Sequence, residues 1–187
     1  MKLKQFLSGI FALLFVVSLP VSALAAEWNI GNGDITVNAG SGGQTVTQGG
    51  GAAVADNAPV ITGSSTENTV TINAEKDQTA SVTLSGANID VSSSSKDKAA
   101  VTTTGDGNVS IELNGDSTLK SGDYYAGLEK RNSGSLTIGD ENKDGKLTAN
   151  GGAGGAGIGG GNYEGNGDNI TITGGEVKAT GGMYGAG

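Results

Sequence analysis

A run of carboxylate and amide side chains is the part of this 187-residue sequence whose spacing most suggests chemistry. Asp140, Asn142 and Asp144 occupy alternate positions just before Gly145. Alternating oxygen side chains before a glycine are typical of the first half of a calcium-binding loop. Gly151 stands where such a loop has its bidentate glutamate, and Asp-Gly with a nearby Asn also favours a tight turn. We therefore expect a charged turn, with a weak calcium site at these residues as the alternative.

The tyrosines form a second set of candidate site residues. Tyr124, Tyr125 and Tyr184 lie one or two residues before a recurring Ala-Gly dipeptide, and Tyr163 lies in a glycine-rich segment. Aromatic faces beside hydroxyl and amide groups are the usual surface for binding sugars. The four tyrosines are thus candidate carbohydrate-binding residues, unless they merely cover glycine-rich turns.

The residue types that most enzymes use are scarce. The sequence has no His and no Cys, so it lacks the commonest general base and the commonest ligands of transition metals. Lys130 and Arg131 are the only adjacent basic pair outside the first residues, and Glu129 precedes them. A β-helical polysaccharide lyase would need such a base beside carboxylate-bound calcium. We predict no catalytic residues and no enzyme activity, with a calcium-dependent lyase or a purely structural stalk as alternatives.

These residues lie within a segment that recurs four times. The copies start near Ser81, Asn108, Ser135 and Asn169, at intervals of 27, 27 and 34 residues. Each has a short alternating strand, a polar or glycine-rich turn, a second short apolar stretch and a Gly/Ser-rich tail. A repeat of this length cannot bury its own apolar face, so neighbouring copies must stack. The sequence predicts an all-β fold, a right-handed parallel β-helix (β-solenoid), and a truncated array.

Stacking predicts which side chains are buried. Aliphatic residues that alternate with Thr or Ser point to one face of a strand. The first strands of the four copies are therefore expected to bury Val82, Leu84, Val109, Ile111, Leu136, Ile138, Ile170 and Ile172. The second strands and the Ala-Gly-aliphatic landmark supply two further columns. Gly86, Gly115 and the pair Gly174-Gly175 fit the corners, which need positive φ or close backbone approach.

The segments before the repeats are read differently. Residues 1–25 have a basic start, an apolar stretch and a small-residue triplet, the pattern of a signal peptide cut after Ala25. Residues 26–80 contain irregular short strands and are expected to form a capping region, and residues 81–187 the solenoid. Trp28 is expected to pack on the first coil, with a sugar-stacking platform as the alternative. We expect a secreted protein with no membrane span after cleavage, associated with the cell surface through further C-terminal modules.

The net charge of the chain limits the classes of molecule that it can bind. Without Lys2 and Lys4, the mature chain has 9 basic and 19 acidic residues, a net charge of −10. Such an acidic chain is a poor partner for nucleic acid or for an anionic membrane. We expect polysaccharide or host glycan as the partner and no cofactor other than calcium.

The chain also resembles a known group of proteins. Its motifs GAGIGGG and NITITGGEVKATGG, with IELNGDSTLKSG before them, are similar to those of secreted Gly-rich β-helical repeat proteins of Gram-positive gut bacteria. The resemblance covers residues 60 to 187. These proteins are often labelled carbohydrate-binding domain-containing proteins. The resemblance implies an extracellular, non-catalytic surface protein, an adhesin or a sugar-binding module.

Overall fold

The chain forms a β-solenoid of about five coils. The computed structural model describes residues 25–93, 98–162, 165 and 167–187. Most of the proposed signal peptide (residues 1–24) and Tyr163 lie outside this range. The described residues contain 18 strands, one short 3₁₀-helix and no α-helix, and no helix among them is long and apolar enough to cross a membrane. The prediction of an all-β parallel solenoid is confirmed.

The strands are short and follow one another at regular intervals. In chain order they are β1 (Glu27–Asn29), the 3₁₀-helix (Ile30–Asn32), β2 (Ile35–Gly40), β3 (Gly43–Gln48), β4 (Val54–Ala55), β5 (Val60–Thr62), β6 (Ser64–Ser65), β7 (Val70–Ala74), β8 (Thr79–Ser85), β9 (Asn88–Asp90), β10 (Val101–Gly105), β11 (Asn108–Asn114), β12 (Asp116–Lys120), β13 (Leu128–Lys130), β14 (Leu136–Gly139), β15 (Lys146–Asn150), β16 (Ile158–Gly159), β17 (Ile170–Ile172) and β18 (Glu176–Thr180).

The strands form three sheets, and each of the four middle coils, from β5 to β16, contributes one strand to each sheet. Sheet A has the order β1-β5-β8-β11-β14-β17, and sheet C has the order β18-β15-β12-β9-β6. Sheet B has the order β16-β13-β10-β7-β2-β3-β4. All pairs are parallel except β2–β3 and β3–β4, which are antiparallel. A strand therefore lies directly above its equivalent one coil earlier, as Ile138 lies above Ile111.

The core runs along the axis between the three sheets. Inward aliphatic side chains alternate with outward polar ones, so β11 has the pattern exposed, buried, half-buried and so on through seven residues. Of the eight predicted core residues, six are buried: Val82, Leu84, Val109, Ile111, Leu136 and Ile138. The prediction is wrong for the last coil, where Ile172 is 51% exposed and Ile170 is half-buried. No described coil lies above β17, so nothing covers the outer side of its side chains.

The first coil is closed by a hairpin and an aromatic residue. Antiparallel pairing of β3 with β2 occupies the outer edge of sheet B, which limits further strand addition there. Trp28 lies on β1 opposite Ile61 and packs against the core. Its indole therefore acts as a cap. The parallel ladders extend to β1, β2 and β6, all before residue 81.

Two glycines lie at the corners of the coil, where the backbone needs a positive φ. Gly86 and Gly115 precede the second strands of successive coils and have φ of 63° and 66°. Residues with a Cβ rarely adopt such angles, so glycine there allows the chain to turn from sheet A to sheet C without strain.

Candidate functional site

The outer face of sheet B carries two rows of hydroxyl and amide side chains. The rows cross four adjacent strands, because the register places equivalent residues side by side. The first row consists of Thr47, Thr36, Thr71 and Thr102, and the second of Thr45, Asn38, Asn73 and Thr104. All eight are half-buried, with their inward neighbours in the core. Rungs lie about 4.8 Å apart, so the rows form a regular array of donors and acceptors.

A groove of about 430 Å³ lies at one end of these rows. Its wall includes Thr71, Thr102 and Thr104 from the array and Tyr125 and Arg131 from the next coil. Asp34, Thr69, Lys98 and Ala99 complete the lining. We refer to these nine residues as the sheet B groove.

Tyr125 and Arg131 form the aromatic and cationic end of the groove. The Arg131 guanidinium carbon lies 5.7 Å from the centroid of the Tyr125 ring, within the range of a cation–π contact. The Nε of Arg131 also donates to Oε1 of Glu129 at 2.9 Å. The Glu129 side chain is 1% exposed and that of Arg131 is 30% exposed. A buried carboxylate thus holds a partly exposed guanidinium against an aromatic ring.

Lys130 points the other way, into the coil. It pairs in register with the inward Thr103 and is fully buried. Its Nζ donates to the backbone carbonyl of Asn132 at 2.7 Å and lies 3.6 Å from Oδ1 of Asp168. Asn132 is itself buried and accepts from the Thr103 hydroxyl at 2.7 Å. These residues form a polar cluster in an otherwise aliphatic core, where Lys130 has no access to a ligand on the groove surface.

Tyr124 and Tyr184 do not line the groove. Tyr124 and Tyr184 occupy equivalent corners two coils apart, with Gly154 between them, and all three have positive φ. Tyr124 is 44% exposed and Tyr184 is 94% exposed. These two residues therefore occupy the same edge of the solenoid, two coils apart. Only Tyr125 of the described tyrosines lines the sheet B groove.

The predicted calcium residues lie in the turn between β14 and β15. Asp140 uses both carboxylate oxygens as acceptors, from the amides of Asp144 and Gly145 at 3.2 and 3.1 Å. Asp144 accepts from the amide of Gly115, one coil earlier, at 3.4 Å. These bonds are those of a capped turn. No cluster of three or more carboxylate, His or Cys side chains suited to a metal occurs among the described residues.

Two ion pairs link adjacent coils on the surface of sheet C. Burial raises the pKa of Asp90, but hydrogen bonds from the Ser92 hydroxyl and amide and from the Lys120 ammonium outweigh it, so that pKa lies below its usual value. The Glu176 carboxylate, 3.1 Å from Lys146, raises the pKa of that lysine. The side chains of both pairs are largely exposed, so the pairs contribute little to the stability of the fold.

Three features of the site were not predicted from sequence: the hydroxyl and amide rows, the pairing of Tyr125 with Arg131, and the burial of Lys130. Three of the four strands that carry the rows, β2, β3 and β7, lie in the part of the chain expected to be an irregular cap. The sequence did contain a signal for the burial of Lys130. Leu-Glu-Lys in β13 occupies the positions of Val-Thr-Thr in β10, which places Lys130 on an inward position.

No family model, curated protein or solved structure matches the chain significantly.

Proposed function

We propose that this protein is a secreted, non-catalytic β-solenoid that binds carbohydrate through the sheet B groove. The observation that carries the proposal is the position of the Tyr125 ring beside two rows of threonine and asparagine side chains. Sugars offer an apolar ring face and many hydroxyls, and they need an aromatic surface together with fixed hydrogen-bonding groups. The groove supplies both on a rigid scaffold.

The shape of the groove favours a polymer over a single sugar. The rows continue past the groove onto β2 and β3, where Thr36, Asn38, Thr45 and Thr47 repeat the same chemistry. Successive rungs therefore present similar groups to successive parts of an extended ligand. Each contact with a half-exposed hydroxyl is weak, and affinity grows with the number of rungs occupied. A polysaccharide or an extended glycan fits this arrangement.

The lyase alternative has less support. Of its two candidate bases, Lys130 has its ammonium inside the coil. Arg131 lines the groove, but its guanidinium is paired with the buried Glu129 and lies against the Tyr125 ring. Catalytic groups must reach the bond that they break. The stalk alternative requires no groove at all, so a binding measurement separates it from the proposal.

A polysaccharide and glycan screen tests the proposal. The chain from Ala26 to Gly187 is applied to arrayed soluble plant and bacterial polysaccharides and host glycans, and positives are measured by affinity electrophoresis or calorimetry. Tyr125→Ala removes the ring and leaves Arg131 without its aromatic partner, so we expect affinity to fall by about tenfold or more, a loss of about 1.4 kcal/mol.

A matched variant controls for general loss of aromatic surface. Tyr184→Ala removes a ring that is 94% exposed and lies outside the groove, so its affinity should equal that of the parent. Thr102→Val removes one hydroxyl of the first row at nearly constant shape, and a smaller loss is expected. Binding to nothing in the screen would refute the proposal, and an equal effect of the two tyrosine variants would refute the site.

A further inference from the structure

A buried carboxylate lies beside the residue at which the signal peptide is expected to end. Asp56 is 1% exposed. Its Oδ2 accepts from the indole Nε1 of Trp28 at 2.8 Å and from the backbone nitrogen of Ala26 at 3.2 Å. Its Oδ1 accepts from the amide of Ala58 at 3.0 Å. Three N–H groups therefore converge on one buried side chain.

This carboxylate has no cationic partner among the described residues. None of the ion pairs formed there includes Asp56. The strands around it, β3, β5 and β8, contain no titratable side chain, and β1 contributes only the exposed Glu27. A buried carboxylate that is hydrogen-bonded but not paired with a cation remains costly, because neutral donors only partly replace water.

Ala26 is held in place independently of the residues before it. Its carbonyl accepts from the amide of Val60 at 2.9 Å, at the start of the pairing between β1 and β5. Ala25 and Ala26 are both exposed, although Asp56 is not. The peptide bond between them is thus at the surface, while the nitrogen of Ala26 faces a buried acceptor.

We propose that cleavage between Ala25 and Ala26 creates an α-ammonium group that forms an ion pair with Asp56 and locks the N-terminal cap. The inference rests on the export proposed above. Hydrolysis breaks the bond between the Ala25 carbonyl carbon and the Ala26 nitrogen. Water supplies an oxygen to Ala25, which becomes a carboxylate, and protons to the nitrogen, which becomes an ammonium at neutral pH. The neutral donor at 3.2 Å is thereby replaced by a cation.

The ion pair gives the mature chain a characteristic pH dependence. The α-amino group of an unfolded chain has a pKa of about 8, and a carboxylate beside it raises that value in the folded state. The stabilisation is then fully present below about pH 8 and is lost as pH rises through the folded pKa. A precursor, in which the Ala26 nitrogen is an amide, lacks this dependence.

Two chains that differ only at the N-terminus test the inference. One begins at Ala26, produced with a cleavable leader, and the other keeps residues 20–25, so its α-amino group lies six residues away. Melting temperatures are recorded from pH 6 to pH 10.5 at 0.15 M NaCl. We expect the chain from Ala26 to melt about 3 °C or more higher at pH 6 to 7, and the difference to vanish at the upper end of the range.

Asp56→Asn in both chains identifies the partner. The amide keeps the size of the side chain and removes its charge, so the two variants should melt at the same temperature at every pH. Equal melting temperatures of the two parent chains at pH 6 to 7, or a difference that Asp56→Asn leaves unchanged, would overturn the inference. Neither readout depends on a sugar ligand or on secretion, so failure here is distinct from failure of the proposed function.

Discussion

Ile138→Ala tests whether stacking of coils holds this protein together. Ile138 is fully buried, and the register places Ile111 below it and Ile172 above it in sheet A. The substitution removes three carbons, worth about 0.8 kcal/mol each, or about 2.4 kcal/mol in transfer free energy. A cavity between two fixed coils adds to this loss, so we expect a cost of about 3 to 4 kcal/mol.

Ile172→Ala is the matched control in the same column. Ile172 is 51% exposed, so only about half of the transfer term applies, and a cavity open to solvent adds little. The expected cost is about 1 kcal/mol. The two substitutions are chemically identical and one coil apart, so their difference of about 2 to 3 kcal/mol measures coverage by a neighbouring coil.

Urea denaturation of the chain from Ala26 provides the measurement. Trp28 is the only tryptophan and packs at the cap, so its fluorescence reports the first coil while circular dichroism reports all strands. Coincident transitions would justify a single free energy of unfolding. If Ile172→Ala costs as much as Ile138→Ala, the column is not stacked as described and the reasoning fails.

Four further outcomes are expected. Mass spectrometry of secreted protein should find Ala26 as the first residue, and an intact leader on the secreted chain would contradict export by cleavage there. Calorimetry should detect calcium binding in the millimolar range or none, and submillimolar binding abolished by Asp144→Ala would show a true metal site. Asp90→Asn should lower stability slightly at neutral pH, and the difference should disappear as pH falls through and below the ordinary Asp value of 3.8, because the folded group has the lower pKa. Lys130→Glu should destabilise the fold by about 3 kcal/mol or more, whereas a neutral effect would place its side chain outside the coil.

The sequence repeat was sufficient to predict the architecture because the same pattern of strands and turns recurs in four copies. Alternation of aliphatic residues with Thr or Ser predicted the inward face of each first strand, and the common order of strand, turn and tail in each copy predicted which residues stack. A single strand such as Leu136–Gly139 would be ambiguous in isolation. Its match to Asn108–Asn114 one coil earlier resolves the register, because a one-residue slip would turn every aliphatic side chain outward.

Prediction from the repeat fails in two situations. One is a residue with no neighbouring coil above it, and the other is a residue type that is buried although it is usually exposed. Ile172 obeys the alternation but has no described coil above it, and periodicity alone carries no information about coverage. Lys130 occupies an inward position although lysine is rarely buried. Hydrogen bonding to Asn132 and the nearby Asp168 make that burial tolerable, and both depend on turns whose geometry the repeat does not specify.

The groove shows a further limit of sequence reasoning about function. Tyr125 was one of four tyrosines with equal standing, and nothing local separates it from Tyr124. The backbone conformation at the corner distinguishes the two residues. Tyr124 has a positive φ and lies at the edge, whereas Tyr125 lies against Arg131. The buried Glu129 accepts from the same guanidinium, and its burial becomes evident only when β13 is placed on β10. A binding surface on a solenoid is thus composed of residues from different coils, so it becomes visible only after the register is known.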